Sequence, residues 1–318
     1  MSRNIASIVF WAATLSFGTA LAAQRPSTFT SFDFPGATTT GAQGINGDGA
    51  VVGFYVDSGG KQHGFLLSAG TFTTLDYPGA LSTGARGINS QGDIVGVHTD
   101  ATGLPGGGAR GFLLRNGAFT DVNYPGHLNT IPVKINDNGQ IVGCYHDNDT
   151  MGSMHGFVFG DGNYTALDGS WGGLTEPASM NNGLTPDGSV IAGLWTDMMT
   201  GVTHGYLASN GAFAPFDFPF SISTNAWDMS PAGEVVGTYT DAAKKVHGFL
   251  LILGDSVATF GANPQFGMGG PFTFLSIDYP GATVTQPLGV NSRGDIAGSY
   301  VDSAGKTHGF LLSRARRN

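Results

Sequence analysis

The chain has 318 residues and a formal net charge of −9, with only 12% of its residues charged against about 25% in ordinary domains. That balance excludes a nucleic-acid partner, because neutralising phosphates needs a basic surface, and 41% hydrophobic residues spread evenly exclude disorder. A lone cysteine, Cys144, excludes an internal disulfide; in "QIVGCYHD" it reads as a small core hydrophobe.

In chain order, the first element is a leader. Arg3 supplies a positive start, residues 5–21 form an apolar run, and Ala20-Leu21-Ala22 is a small-residue cleavage site. Residues 1–22 therefore read as a signal peptide, and residues 23–318 as one exported domain, extracellular or periplasmic. Losing Arg3 makes the remaining chain more acidic still. No later apolar stretch reaches membrane-spanning length, so no insertion is expected after cleavage.

The rest of the chain is six copies of one sentence. The triplet His-Gly-Phe, or a variant of it, begins at His63, Arg110, His155, His204, His247 and His308, at spacings of 47, 45, 49, 43 and 61 residues. The longest spacing holds an insertion at residues 254–270. Each copy contains four short segments, such as "TFTTLDY" (71–77), "GARGIN" (84–89), "DIVGVHTD" (93–100) and "RGFLLRNG" (110–117). All are rich in β-branched and aromatic residues and bounded by Gly, Asn, Asp or Pro, which is the grammar of strands and turns. Pro78-Gly79 carries the signature of a type II turn. Four strands every 45 residues or so is propeller-blade spacing.

The chain ends supply an independent check. An extra strand, "TFTSFDF" (28–34), precedes the first copy, and the last copy stops after its third strand, "THGFLLS" (307–313). Adding the first to the last closes an all-β, six-bladed propeller. A β-solenoid or paired trefoils are the competing architectures; a solenoid would want caps instead of this complementarity.

The units "GINSQGDIVG…HGFLL" resemble the secreted bacterial repeats of the HAF family, named for a His-Ala-Phe triplet, over essentially the whole exported chain. Here glycine replaces that alanine at Gly64, Gly156, Gly205, Gly248 and Gly309. The resemblance implies an extracellular repeat protein and brings no catalytic residues with it.

Three positions recur with the repeat: an Asp ending the second strand (Asp57, Asp100, Asp147, Asp197, Asp241, Asp302), an aromatic two residues earlier (Tyr55, His98, Tyr145, Trp195, Tyr239, Tyr300), and the triplet histidine. A residue needed in every blade reads as scaffold, the Asp fixing its turn and orienting its His. Departures from the pattern point to function. Blade 2 has His98 for the aromatic, Arg110 for the histidine and His127 in the following turn. Blade 3 adds His146 and Asp149, and the next turn brings Trp171 and Glu176. The loop from motif Asp to motif His spans 6 positions in blades 1, 5 and 6, but 10, 8 and 7 in blades 2 to 4.

The ligand-binding candidates are thus His98, Arg110, His127, His146, Asp149, Trp171 and Glu176, displayed on one loop face of blades 2–4. Aromatic rings there suit sugar C–H surfaces, and amides and carboxylates suit hydroxyls. The reading is a monomeric, exported binding module for a carbohydrate or protein ligand. A cell-surface structural or adhesion role is one alternative, and a polysaccharide hydrolase or lyase another, although no catalytic residue is assigned. No cofactor is expected. His98, His127, His146 and Asp149 have the chemistry of metal ligands, but His98 and His146 lie at opposite parities relative to their motif aspartates.

Overall fold

A computed structural model describes residues 27–100, 108–127, 129–147, 154–167, 178–185, 188–197, 199–210, 212–253 and 273–314. The leader (1–22) and the insertion (254–270) lie outside the described residues. The described chain forms six four-stranded antiparallel sheets. We letter the strands of each blade A to D from the hub outward. Blade 1 runs Thr39–Ile45, Val51–Val56, Gln62–Ser68 and Thr71–Leu75. Blades 2 to 5 begin with strands Ser82–Ile88, Asn129–Ile135, Ala178–Leu184 and Ser223–Met229.

Blade 6 closes the ring. Its strands Val284–Val290, Ile296–Val301 and Thr307–Arg314 come from the C-terminal part of the chain, and its D strand, Ser27–Phe32, comes from the N-terminal part. Ser27 pairs with Arg314 and Phe32 with Gly309. The protein is a six-bladed β-propeller, as the complementary chain ends predict. The first and last described strands therefore form one hydrogen-bonded sheet, and opening the ring means breaking that ladder.

Strand alternation builds the core between blades. One cluster joins Val190, Leu207 and Phe216 of blade 4 to Met229, Val235 and Phe249 of blade 5. The triplet phenylalanines Phe65, Phe112, Phe157, Phe249 and Phe310, with Tyr206 in blade 4, are fully buried. Burying each such ring contributes about 1.5–3 kcal/mol. The glycine before it is required. A Cβ on Gly64 or Gly248 would meet the D-strand carbonyl of Leu75 or Ile277, and one on Gly205 or Gly309 would meet the ring of Phe216 or Phe32. That crowding leaves no room for a side chain at these positions.

The hub is narrow. Every A strand has a bulge, between Ala42 and Gly44 in blade 1 and at the equivalent place elsewhere. The residue after it is Gly in four blades, and a Cβ on Gly44 would meet the Arg86 carbonyl oxygen. In the other two blades this position holds Lys134 and Asp228, which meet across the axis.

Candidate functional site

The two faces of the ring are chemically different. The A–B and C–D turns share one face. The B–C loops share the other with the crossings that lead from strand D of one blade to strand A of the next. The motif aspartates and histidines all lie on this second face.

In blade 1 the Asp57 Oδ1 accepts the backbone N–H groups of Gly59 (2.8 Å) and Lys61 (2.9 Å), which fixes the loop. Those backbone bonds, led by Lys61, hold its carboxyl below the usual 3.8. Its Oδ2 lies 3.4 Å from His63 Nε2, while His63 Nδ1 meets Asp76 at 2.9 Å. Blades 5 and 6 repeat the arrangement, with His247 between Asp241 and Asp278, and His308 between Asp302 and Asp33. The scaffold reading of the loop Asp holds. The second carboxylate was not anticipated, because it sits 13 residues from the histidine in blade 1, at the end of strand D.

The next residue extends the network. Tyr77 follows Asp76 and stacks on His98 of blade 2 at 3.6 Å. Phe34, after Asp33, does the same to Tyr55, and Tyr55 in turn lies 4.9 Å from the His63 ring. The crossings after blades 1, 4, 5 and 6 thus grip one blade's histidine with a carboxylate and the next blade's aromatic with a ring. A buried threonine, such as Thr40 or Thr83, accepts the N–H of that crossing aromatic at 2.9–3.0 Å. The repeated polar residues lock blade to blade. The recurring Asp-Tyr/Phe-Pro-Gly was the visible signal, although in sequence it reads only as a turn.

The structure separates the sequence candidates. His98 is 2% exposed, packed under Tyr77, and burial pushes its pKa down. Asp100 lies 3.1 Å from His98 Nδ1 and 2.9 Å from Arg110 Nε, but too obliquely for a hydrogen bond. His98 is therefore a packing residue, whereas Arg110 keeps about a third of its side chain exposed. His146 lies beside Cys144, its Nε2 4.0 Å from the Sγ, on the opposite side of its strand from Tyr145. Tyr145 belongs to the cluster between blades 2 and 3, and His98 faces blade 1, so His98 and His146 point apart.

His127 does join the face. Its Nδ1 lies 3.2 Å from the His146 carbonyl oxygen and 3.6 Å from Asp147 Oδ1, and its ring leans on Tyr145 at 4.5 Å. Asp147 Oδ2 contacts His155 Nε2 at 3.1 Å. Blade 3 thus holds one carboxylate between two imidazoles. Asp149, Trp171 and Glu176 lie outside the described residues. Among the described residues no group of three His, Cys, Asp or Glu side chains is placed to hold a metal ion. Cys144 is buried, and burial pushes its thiol up to about 12, which suits core packing.

A cavity of about 140 Å³ opens on the opposite face, at the hub. Asn46, Asn89, Asn136 and Asn291 ring it, each passing a side-chain N–H to a backbone carbonyl of the next blade at 3.0–3.4 Å. Beneath them Lys134 Nζ donates to the carbonyls of Gln43 and Leu288, each at 2.9 Å, and lies 3.3 Å from Asp228. Asp228 also accepts the N–H groups of Met229 and Val290. Burial pushes Lys134 down and Asp228 up, and their mutual attraction opposes both shifts. Every strong polar group of this pair has a partner, so it plugs the hub. The sequence reading passed over both residues, although a Lys and an Asp stand where the other copies have Gly.

No protein-family profile matches the chain, and no curated protein is detectably similar to it. Solved structures are. The protein described as TolB from Agrobacterium tumefaciens has a TM-score of 0.52 at 15% identity, over 92% of this chain and 99% of that one. An Aleuria aurantia lectin in complex with Fucα1-6GlcNAc has a TM-score of 0.48 at 12% identity, over 87% and 94%. An oligogalacturonate lyase in complex with manganese has 0.47 at 16%, over 89% and 78%. At 15% identity the likeness to the TolB structure shows the propeller fold alone. Among the described residues no helix is long and apolar enough to cross a membrane.

Proposed function

We propose that the protein is an exported binding module that holds a carbohydrate on the face of B–C loops and crossings, in the sector of blades 2–4. The observation that carries this reading is the local break in a repeated network. Blades 1, 5 and 6 carry the same double-carboxylate histidine, whereas blade 2 replaces the histidine by Arg110 and blade 3 adds His127 to Asp147. A pure scaffold has no use for such differences. The Asp147 side chain is 36% exposed and His127 23% exposed, so both remain reachable to a ligand's hydroxyl groups. Carboxylates accept hydroxyl hydrogens and aromatic rings take sugar C–H faces. The resemblance to secreted HAF repeats and the leader expected at residues 1–22 support an exported setting. A cell-surface structural role is the second reading, favoured by the identical locks of blades 1, 5 and 6.

A screen of residues 23–318 against glycans and soluble polysaccharides, with and without EDTA, tests the proposal. The variants are His127→Ala and Trp171→Ala. Binding should weaken tenfold or more in His127→Ala while the unfolding midpoint stays within a few degrees. Binding to no glycan would sink the reading and send the search to protein partners.

A further inference from the structure

Among the described crossings, one breaks the rule of the others. The crossings into blades 1, 2, 3 and 6 place Gly36, Gly79, Gly126 and Gly281 in the left-handed region, at φ of 78–83°. The crossing into blade 5 reads Asp217-Phe218-Pro219-Phe220-Ser221, and Phe220 occupies the glycine position at φ 63°. Its turn still closes, with the Ser221 N–H donating to the Phe218 carbonyl at 3.1 Å. A bulky L residue is strained in that region. Packing does not compensate, because Phe220 is 88% exposed and none of the ring contacts among the described residues involves it. Packing among the described residues does not offset the strain at Phe220, which motivates a role for its ring in contacts outside the chain.

Its surroundings define the chemistry. The large exposed apolar side chains among the described residues are Leu81, Met199, Phe220 and Ile222, and all four lie on the face of B–C loops and crossings. Asp217, three residues before Phe220, is 48% exposed and contacts His204 Nδ1 through both oxygens, at 3.0 and 2.9 Å. That leaves lone pairs free on each oxygen. The Ile222 N–H donates to the Thr240 carbonyl at 2.8 Å, which ties the turn to the loop that begins with Asp241, itself 36% exposed. An exposed aromatic on a crossing that carries one partly exposed carboxylate, tied to a loop that begins with another, is complementary to a ring with C–H groups on one side and hydroxyls at its edge. The same carboxylates repel uronates.

We propose that Phe220 is a stacking platform for a neutral pyranose unit of a polysaccharide, with Asp217 and Asp241 accepting hydrogen bonds from its hydroxyls. The inference rests on the carbohydrate reading above and adds to it the residue and the class of sugar. The test is isothermal titration of the exported protein with neutral polysaccharides (β-glucan, mannan, galactomannan) and acidic ones (polygalacturonate, alginate), with thermal unfolding alongside. Wild type, Phe220→Gly, Phe220→Trp and His127→Ala are compared. The expected result is binding of a neutral polysaccharide that weakens at least tenfold in Phe220→Gly and is kept in Phe220→Trp. The unfolding midpoint of Phe220→Gly should be equal to or above that of wild type, which separates lost stacking from lost fold. Unchanged binding in Phe220→Gly, loss in Phe220→Trp, or preference for the acidic polymers overturns this inference. If His127→Ala keeps the affinity that Phe220→Gly loses, the blade 2–4 placement fails and Phe220 stands; the reverse pattern leaves the placement and removes Phe220. No binding of any neutral polysaccharide by wild type overturns both.

Discussion

Blades 1 and 2 are neighbours with the same backbone and different chemistry. In blade 1 the crossing ring Phe34 stacks on Tyr55 at 3.6 Å and an interplanar angle of 5°; in blade 2 Tyr77 stacks on His98 at the same distance and angle. In and around this constant stack five residues have changed together, Phe34 to Tyr77 among them. Tyr55 becomes His98, His63 becomes Arg110, Thr74 becomes Asp121 and Asp76 becomes Asn123. The Tyr55 hydroxyl pairs with Thr74 Oγ1 at 3.0 Å, and in blade 2 the hydroxyl comes from the other ring of the stack, with Tyr77 donating to Asp121 at 2.7 Å. One carboxylate is lost at the strand end and another gained in the strand. The difference teaches that the stack is the conserved mechanical part, while charge around it can be redistributed when several positions move at once.

If the frame is common to both blades, equal damage to it must have equal cost. A Cβ on Gly53 would collide with the Gly41 carbonyl and the Phe65 ring, and one on Gly96 with the Gly84 carbonyl and the Phe112 ring. Gly53→Ala and Gly96→Ala should each destabilise by about 3 kcal/mol in urea unfolding. A gap between them above about 1 kcal/mol would show that the frames differ. The stack itself should be unequal. Tyr55→Ala should cost about 3 kcal/mol. His98→Ala should cost less, because the imidazole is smaller and gains no well-angled hydrogen bond.

The two blades should also respond to acid in different ranges. The folded pKa of Asp57 lies below its ordinary value, so its contribution is complete above pH 3.8 and is lost as pH falls through the folded value. His98 is likewise depressed, from an ordinary 6.5, so its contribution is complete above pH 6.5 and declines as pH falls below it. His98→Phe should therefore reduce the loss of unfolding midpoint between pH 7.5 and 5, whereas Asp57→Asn should lower the midpoint at neutral pH and flatten its fall only below about pH 4. His204 runs the other way. Its hydrogen bond to Asp217 raises its pKa, so its contribution is present below pH 6.5 and is lost as pH rises through the folded value. An unchanged pH slope in His98→Phe would mean that the imidazole is not the titrating group. The smallest effect concerns the crossings after blades 1 and 4. Phe220→Gly should raise stability by about 1 kcal/mol by relieving a left-handed L residue, whereas Gly79→Phe should lower it by a similar amount. Paired thermal unfolding curves would show both.

Much of this face was legible residue by residue. The loop Asp and the triplet His or Arg stand 6 to 10 positions apart on either side of a single hairpin, so their proximity follows from strand register. The second carboxylate was hidden because Asp76 reaches His63 only after strands C and D have folded back beside each other. His98 read as a surface ligand because a histidine in an irregular copy looks functional; only the stack under Tyr77 shows it enclosed. Phe220 was visible in "DFPF" as a break in the Pro-Gly rule, but its exposure depends on how the crossing sits between blades.

The sequence alone determined the number of blades, the four strands in each and the closure of blade 6 by the N-terminal strand. The blades rest on local turn chemistry and on hydrogen bonds between adjacent segments, and the closure rests on counting, which leaves one strand spare before the first blade and the last blade one strand short. Tertiary structure decided which polar side chains lock the ring and which remain available to a ligand. That depends on contacts between blades, such as Lys134 reaching Asp228 across 94 positions of sequence or Asp33 meeting His308 at the closure. No local pattern encodes such distances, because they exist only once the ring has closed.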